Sequence, residues 1–171
     1  MQHRLRRPSP TRVAGVAPFP AMLLALMLVG VSACGDGTVH VDPFDASAAD
    51  RSACATLIGA VPAHVSGKLR RTTSGSPYAA AWGNPAIVLR CGVGRPAGFT
   101  KFAACQRING VDWFAPDSEY VDQTADAVLT TVGRSPSVEV RVPAQDRPPL
   151  ATLVDLAGVV LAHTREVAPC S

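Results

Sequence analysis

Hydrophobic positions are arranged in three ways along this chain, and each arrangement predicts a different element. Ala21 to Val31 is one continuous apolar run. Cys54, Leu57, Ile58 and Val61 recur at i, i+3, i+4 and i+7, which is one face of a helix. That pattern predicts a short helix over about 50–60, capped by Ser47 or Asp50 and stopped by Pro62. A second helical pattern, Leu150, Leu153, Val154, Ala157 and Leu161, predicts a helix from about Pro148 to Thr164. Asp146 is its expected cap, and prolines suit a helix start.

Strict alternation marks the third arrangement. Ile87, Leu89, Cys91 and Val93 share one face of a strand predicted over 86–93. Val138, Val140 and Val142 alternate with Glu139 and Arg141, so one face meets a core and the other meets water. This strand is expected to pair with 127–132 through the turn Gly133-Arg134-Ser135-Pro136. Asn109-Gly110, between Arg107-Ile108 and Val111-Asp112, is a tight-hairpin signal. Residues 68–73 read as an exposed strand and 94–98 as a Gly/Pro loop. The order is helix, antiparallel strands, helix. The predicted class is α+β: a small antiparallel sheet covered by N- and C-terminal helices.

The apolar run at the start has a different meaning. Arg4, Arg6, Arg7 and Arg12 precede it without an acid, and Val31-Ser32-Ala33-Cys34 closes it. Basic start, apolar middle and small residues at the end make the three-part layout of an export signal. The core from Ala21 is shorter than the ~20 residues a membrane span requires. The tail of the signal is that of a bacterial lipoprotein, with Cys34 as the acylated residue. Its sulfur can carry a diacylglyceryl thioether, and the new amino terminus a third chain. Two or more chains give durable anchoring, at about 0.8 kcal/mol per buried methylene. An uncleaved anchor or an ordinary signal peptide is the competing reading. Arg6-Arg7 raises the twin-arginine route, but Pro8 follows and the flanking pattern is missing. The expected organisation is a signal over 1–33, a lipidated cysteine with a flexible tether over 34–49, and one extracytoplasmic domain over 50–171. The expected location is the extracytoplasmic face of the cell membrane, held by lipid.

This changes what composition means. Removing 33 residues leaves 138, enough for one domain burying roughly two thirds of its unfolded surface. The whole chain carries 16 basic and 13 acidic residues, but four of the basic ones lie in the signal. The remainder is near neutral, so its charge suggests no nucleic-acid partner. Of five cysteines, Cys54, Cys91, Cys105 and Cys170 remain once Cys34 is assigned to lipid. An even number in an exported domain suggests two disulfides. Cys91–Cys105 with Cys54–Cys170 is favoured, on the view that the first two flank a loop between neighbouring strands. Cys54–Cys91 with Cys105–Cys170 is the alternative. The chain-entropy argument gives roughly 3 and 4–5 kcal/mol for closing loops of the favoured lengths.

Candidate chemistry is sparse. His40, His64 and His163 read as solvent-facing, and no serine stands in a G-x-S-x-G elbow. Gly92 to Gly98 departs from the spacing of a dinucleotide loop. Asp112, Asp117, Glu119 and Asp122 lack the order of a calcium loop and read as a solvated acidic segment. No metal or cofactor is expected. Aromatics make up 5% of the chain, so two tryptophans beside turns stand out. Trp82, Arg90, Asp112 and Trp113 form a candidate binding patch, because exposed Trp and Arg are favoured at interfaces. Equally, the tryptophans can fill the core and Arg90–Asp112 can be a structural ion pair.

The stretch Ala-Ala-Ala-Trp-Gly-Asn-Pro-Ala-Ile-Val-Leu-Arg-Cys-Gly-Val at 79–93, Cys105, and Asn-Gly-Val-Asp-Trp-Phe at 109–114 resemble an actinobacterial family of small exported proteins. The family is known as domain of unknown function 3515. Ser135-Pro136, Val138 to Val140 and Val142-Pro143 fit it, as do Cys54 and Cys170, and the resemblance covers about 50–170. It implies membrane-associated or lipoprotein status and brings no catalytic residue. The expected role is non-enzymatic: binding or structure at the outer face of the cytoplasmic membrane, with an envelope protein or cell-wall component as partner. The alternative is an envelope enzyme or small-ligand binder using the Trp/Arg/Asp patch. A deep pocket lined by those four residues would favour the alternative; burial of both tryptophans would favour the first.

Overall fold

The computed structural model describes residues 37–170. The chain divides into two units, Met1–Cys34 and Gly35–Ser171. The segment expected to be an export signal, and Cys34, lie outside the described residues.

Twelve strands and three helices follow in order among the described residues: β1 (Val39–Val41), α1 (Arg51–Ala60), β2 (His64–Val65), β3 (Lys68–Arg71), β4 (Thr73–Gly75), β5 (Ala79–Trp82), β6 (Ile87–Cys91), β7 (Gln106–Ile108), β8 (Val111–Phe114), α2 (Ser118–Val121), β9 (Ala127–Thr131), β10 (Arg134–Ser135), β11 (Val138–Val142), α3 (Leu150–His163) and β12 (Arg165–Glu166). A 3-10 turn over Ala144–Asp146 precedes α3. No described helix is long and apolar enough to cross a membrane.

The mixed α+β class holds, but the sheet is not small. Eight strands pair in the order β2-β3-β5-β6-β11-β9-β8-β7, every neighbour antiparallel. Sequence patterning missed two strands of this sheet, the two-residue β2 and the central-flanking β5. Ala79-Ala80-Ala81-Trp82 is buried at all four positions, so it shows no alternation, and alanine carries little strand preference. It joins the exposed β3 to the central β6, converting separate hairpins into one sheet. Both predicted hairpins are present. Asn109 and Gly110 take positive φ (46° and 85°) between β7 and β8, as a type I′ turn demands. β9 and β11 pair with Val140 opposite Leu129.

Helices α1 and α3 pack on one face of the sheet. Leu57 of α1 and Leu153, Leu156, Ala157 and Val160 of α3 meet Leu89, Val140, Trp82 and Trp113 in the core. The stripe predicted on α3 is rotated. Leu150, Val154 and Leu161 are exposed, while Leu156 and Val160 are buried. This helix is apolar nearly all round, so the pattern leaves its inward face ambiguous. Thr152 is also buried, because Ser66 meets its hydroxyl at 2.7 Å. Asp146 does not cap α3; it takes the Lys68 ammonium at 2.9 Å instead.

The described part of the segment expected to be a flexible tether is packed into the fold. Val39–Val41 pairs in parallel with Thr73–Gly75. Val41 and Ala46 are buried, and the Arg90 guanidinium lies 4.3 Å from the Phe44 ring centroid. Val41 lies beside Val88 and Arg90 on the helix-free side of the sheet, and Ala46 packs against Gly92 beside the Cys54 sulfur.

The disulfides take the pairing that was not favoured. Cys54 bonds Cys91 and Cys105 bonds Cys170, with Cα separations of 5.4 and 6.4 Å. The reason is sheet order. β6 and β7 are not neighbours: β11, β9 and β8 lie between them. Four strand spacings of about 4.8 Å exceed the ~7 Å that a disulfide can bridge. Cys91 instead lies on the helix-facing side of β6, where Cys54 of α1 packs.

Candidate functional site

The four residues proposed as a patch do not come together. Trp82 and Trp113 have no exposed surface. Trp82 ends β5 beneath α1, and its Nε1–H donates to the Pro62 carbonyl at 2.9 Å. Trp113 lies on β8, and its Nε1 meets no acceptor among the described residues. Arg90 is on the opposite side of the sheet. It stands directly across from Glu139 and donates to its carboxylate at 3.0 Å, while Phe44 stacks on it. The expected Arg90–Asp112 pair is absent, because the strand order places β11 and β9 between β6 and β8.

Asp112 has a different partner. Arg107, its cross-strand neighbour, donates from Nε and Nη2 to the two carboxylate oxygens at 2.7 Å each. The Cys170 amide adds a third donor at 3.2 Å. The Arg107 hydrogen bond holds the Asp112 carboxyl below the usual aspartate range, against the opposing effect of burial. The Arg107 guanidinium is raised in turn, chiefly by that same hydrogen bond. This is a structural pair that ties the β7–β8 hairpin to the C-terminal segment.

Glu119 and Asp122 of the acidic segment are also engaged. Glu119 holds Arg147 at 3.1 Å, with both side chains largely buried. Asp122 accepts from the Thr124 hydroxyl at 2.6 Å, and its pKa is lowered mainly by that bond. Asp117 precedes α2 without a side-chain capping bond. Among the described residues, no three His, Cys, Asp or Glu side chains are grouped to hold a metal ion. His40 lies 3.6 Å from Asp42 on the surface, and His64 is exposed.

A cleft that patterning did not point to lies at one end of the sheet. Its floor is the β9–β11 turn region, with Thr131, Val132 and Ser137. One wall is the C-terminal segment 167–170, and the other is the loop 95–101. The amides of Val167 and Ala168 both donate to the Gly133 carbonyl, at 2.8 and 3.2 Å. Gly133 has φ +68°, and a Cβ there would overlap the Ala168 carbonyl oxygen. Only glycine allows the C-terminal segment to lie this close. The Cys105–Cys170 disulfide then joins the end of that segment to the end of the loop.

The cleft has a volume of about 430 Å³ and is lined by Arg95, Lys101 and Arg134, with no Asp or Glu among its described lining residues. Arg95 lies 5.7 Å from the Phe99 ring centroid. Arg134 is held by Thr164, donating to its hydroxyl at 2.6 Å and its carbonyl at 2.8 Å. A signal for this site did exist in the sequence: Gly94 to Phe102 holds two cations and two phenylalanines in an aromatic-poor chain.

A family model described as a protein of unknown function (DUF3515) matches residues 15–168. The chain belongs to that family. The match spans the helix-covered sheet and the described cleft lining of this DUF3515 chain apart from Pro169 and Cys170. No curated protein matches it, and no solved structure does.

Proposed function

We propose that this DUF3515 protein is a lipid-anchored protein of the cell envelope. In this reading Cys34 carries the lipid, residues 1–33 are removed as the signal, and the domain works at the extracytoplasmic face of the membrane. The observation that carries the reading is cysteine bookkeeping. The four described cysteines pair with one another, and Cys34 is the one remaining. Two disulfides suit an oxidising, exported location, and a lone cysteine behind Val31-Ser32-Ala33 suits acylation.

The proposed role is non-enzymatic binding or structure, with an envelope protein or cell-wall component as partner. Support comes from the fate of the competing patch. Burial of both tryptophans, and the separate pairing of Arg90 and Asp112, take away the Trp/Arg/Asp surface on which the enzyme reading stood. Mass spectrometry of the amino-terminal peptide from membranes tests the anchor. A diacylglyceryl-modified Cys34 is expected, and an unmodified Cys34 thiol overturns it. Crosslinking of the anchored protein in intact envelopes tests the role, and recovery of no specific partner counts against it.

A further inference from the structure

We propose that the side of the fold built from β3 and the start of β1 lies directly against the phospholipid surface. The proposal deepens the preceding reading and rests on its anchor at Cys34. What is new is the face that meets the membrane and the closeness with which it is held there.

The length of free chain carries the argument. A flexible tether over 34–49 would span about 20–24 Å and let the domain tumble above the surface. The fold takes most of that chain back. The Gly37 carbonyl accepts from Arg71 Nη2, while Arg71 Nη1 donates to the Gly83 carbonyl at 2.8 Å. The Val39 amide donates to the Thr72 carbonyl at 2.9 Å. Val39, His40 and Val41 then pair with Thr73, Ser74 and Gly75. That pairing demands glycine at 75, where φ is +90° and a Cβ would overlap the Val41 carbonyl oxygen. Further on, Phe44 stacks on Arg90 and Ala46 is 4% exposed. Only residues 35 and 36 separate Cys34 from Gly37. Three Cα–Cα steps span about 11 Å at most, whereas a domain of this length has a radius of gyration of about 14 Å. A leash shorter than the body it holds brings one side of that body to the surface.

The side chains beside Gly37 suit a layer of headgroups. Leu69 is 64% exposed, and Arg70 is exposed next to it. Residues 68–72 line an open hollow with Gly83 and Asn84, and no carboxylate is among its described lining. Lys68 does not count towards its charge, because Asp146 pairs with it at 2.9 Å. Arg70 donates to the Ile58 carbonyl at 2.9 Å, and Arg71 donates to the two carbonyls named above. Neutral oxygens leave both guanidinium charges uncancelled. Asp42 and Asp45 come after β1, beyond its end remote from Gly37. An exposed leucine between cations matches phosphates lying over acyl chains. Two arginines and a leucine are too few to recruit a domain from solution. The covalent lipid does that, and these side chains set the orientation.

The test uses the protein processed in cells from its full-length chain, reconstituted in nanodiscs of phosphatidylglycerol and phosphatidylcholine. A minor lipid carries a gadolinium chelate on its headgroup, and amide relaxation is read residue by residue. In a parallel arm the chain from Cys34 onward, which contains every described residue, is coupled through the Cys34 thiol to a maleimide phospholipid. The other four cysteines are held in disulfides, so this arm needs no natural acylation. The amides of Val39, Leu69 and Arg71 should relax about tenfold or more faster than those of Asn109 and Gly110, because six strand spacings of about 4.8 Å separate β3 from β7. A Gly/Ser spacer of about 30 residues between Asp36 and Gly37 adds about 30 Å of flexible chain and should level the two sets. Gly75→Ala, which forces β1 off β4, should reduce the contrast in the same direction. Equal relaxation of the two sets in the parent, faster relaxation at Asn109 and Gly110, or a contrast that survives the spacer overturns the proposal. An unmodified Cys34 in the first arm overturns the anchor, while the maleimide arm still decides which face the short leash presents.

Discussion

A mild reductant should open Cys105–Cys170 while leaving Cys54–Cys91 intact. Cys54 and Cys91 have no exposed surface, whereas Cys105 and Cys170 are only half-buried. Thiol–disulfide exchange requires a thiolate to reach the sulfur, so the core disulfide should react only through global unfolding. The consequence for stability follows from the loop each bond closes. Sequence separations of 37 and 65 residues give about 4 kcal/mol each in the chain-entropy treatment, slightly more for the longer loop. At ~3–5 °C per kcal/mol for a domain of this size, selective reduction should lower the melting temperature by about 15 °C. The assay is direct, because trypsin places the four cysteines on separate peptides. Cleavage after Arg51, Lys68, Arg90, Lys101, Arg107 and Arg165 yields 52–68, 91–101, 102–107 and 166–171. Non-reducing mass spectrometry should find 52–68 linked to 91–101, and 102–107 linked to 166–171. After brief reduction and alkylation, only the second pair should be separated. A linked 91–101/102–107 peptide, or loss of both bonds at one rate under native conditions, would refute the sheet order or the burial on which this rests.

Three further outcomes follow from the same geometry. Trp82→Phe strands the Pro62 carbonyl and should cost about 1–3 kcal/mol more than Trp113→Phe, whose indole N–H has no acceptor to lose; equal urea midpoints would contradict this. Gly133→Ala forces a methyl group into the Ala168 carbonyl at positive φ, at a cost of at least about 1–2 kcal/mol. Hydrogen exchange should show the Val167 and Ala168 amides losing protection first, and unchanged protection there would count against the packing. Asp112 has a depressed pKa in the fold because Arg107 donates to it, so its stabilisation is present above the unfolded aspartate value of about 3.9 and is lost as pH falls through the lower folded value. Asp112→Asn should be less stable than the parent at pH 6, with the gap closing towards pH 2; a gap independent of pH would refute the assignment.

Local periodicity carried much of the fold. The positions of α1, α3, β6, β11 and the Asn109-Gly110 hairpin were all legible, because each depends on side-chain spacing within a dozen residues. β5 was not legible, since a strand buried on both faces has no alternation to read. The face of α3 was misread for a related reason: where nearly every position is apolar, only neighbouring elements decide which ones turn inward. Residues 39–46 read as a tether because their few hydrophobes show no period, yet Val41 and Ala46 are buried in the fold. The candidate patch failed on the same ground. Trp82, Arg90, Asp112 and Trp113 are prominent by residue type, but residue type does not say which side of a strand meets the core.

By itself, then, the order of residues determined most of the elements, the even set of four pairing cysteines beside Cys34, and the near-neutral charge of the chain beyond residue 33. Tertiary structure decided which cysteines meet, where the tryptophans point, and that Arg95, Lys101 and Arg134 share one cleft. The division has a physical cause. Helix and hairpin signals are set by short-range sterics and solvation, while the partners of Cys91, Arg90 and Asp112 depend on strand order. Strand order is settled only when β5 enters between β3 and β6, and β11 and β9 between β6 and β8.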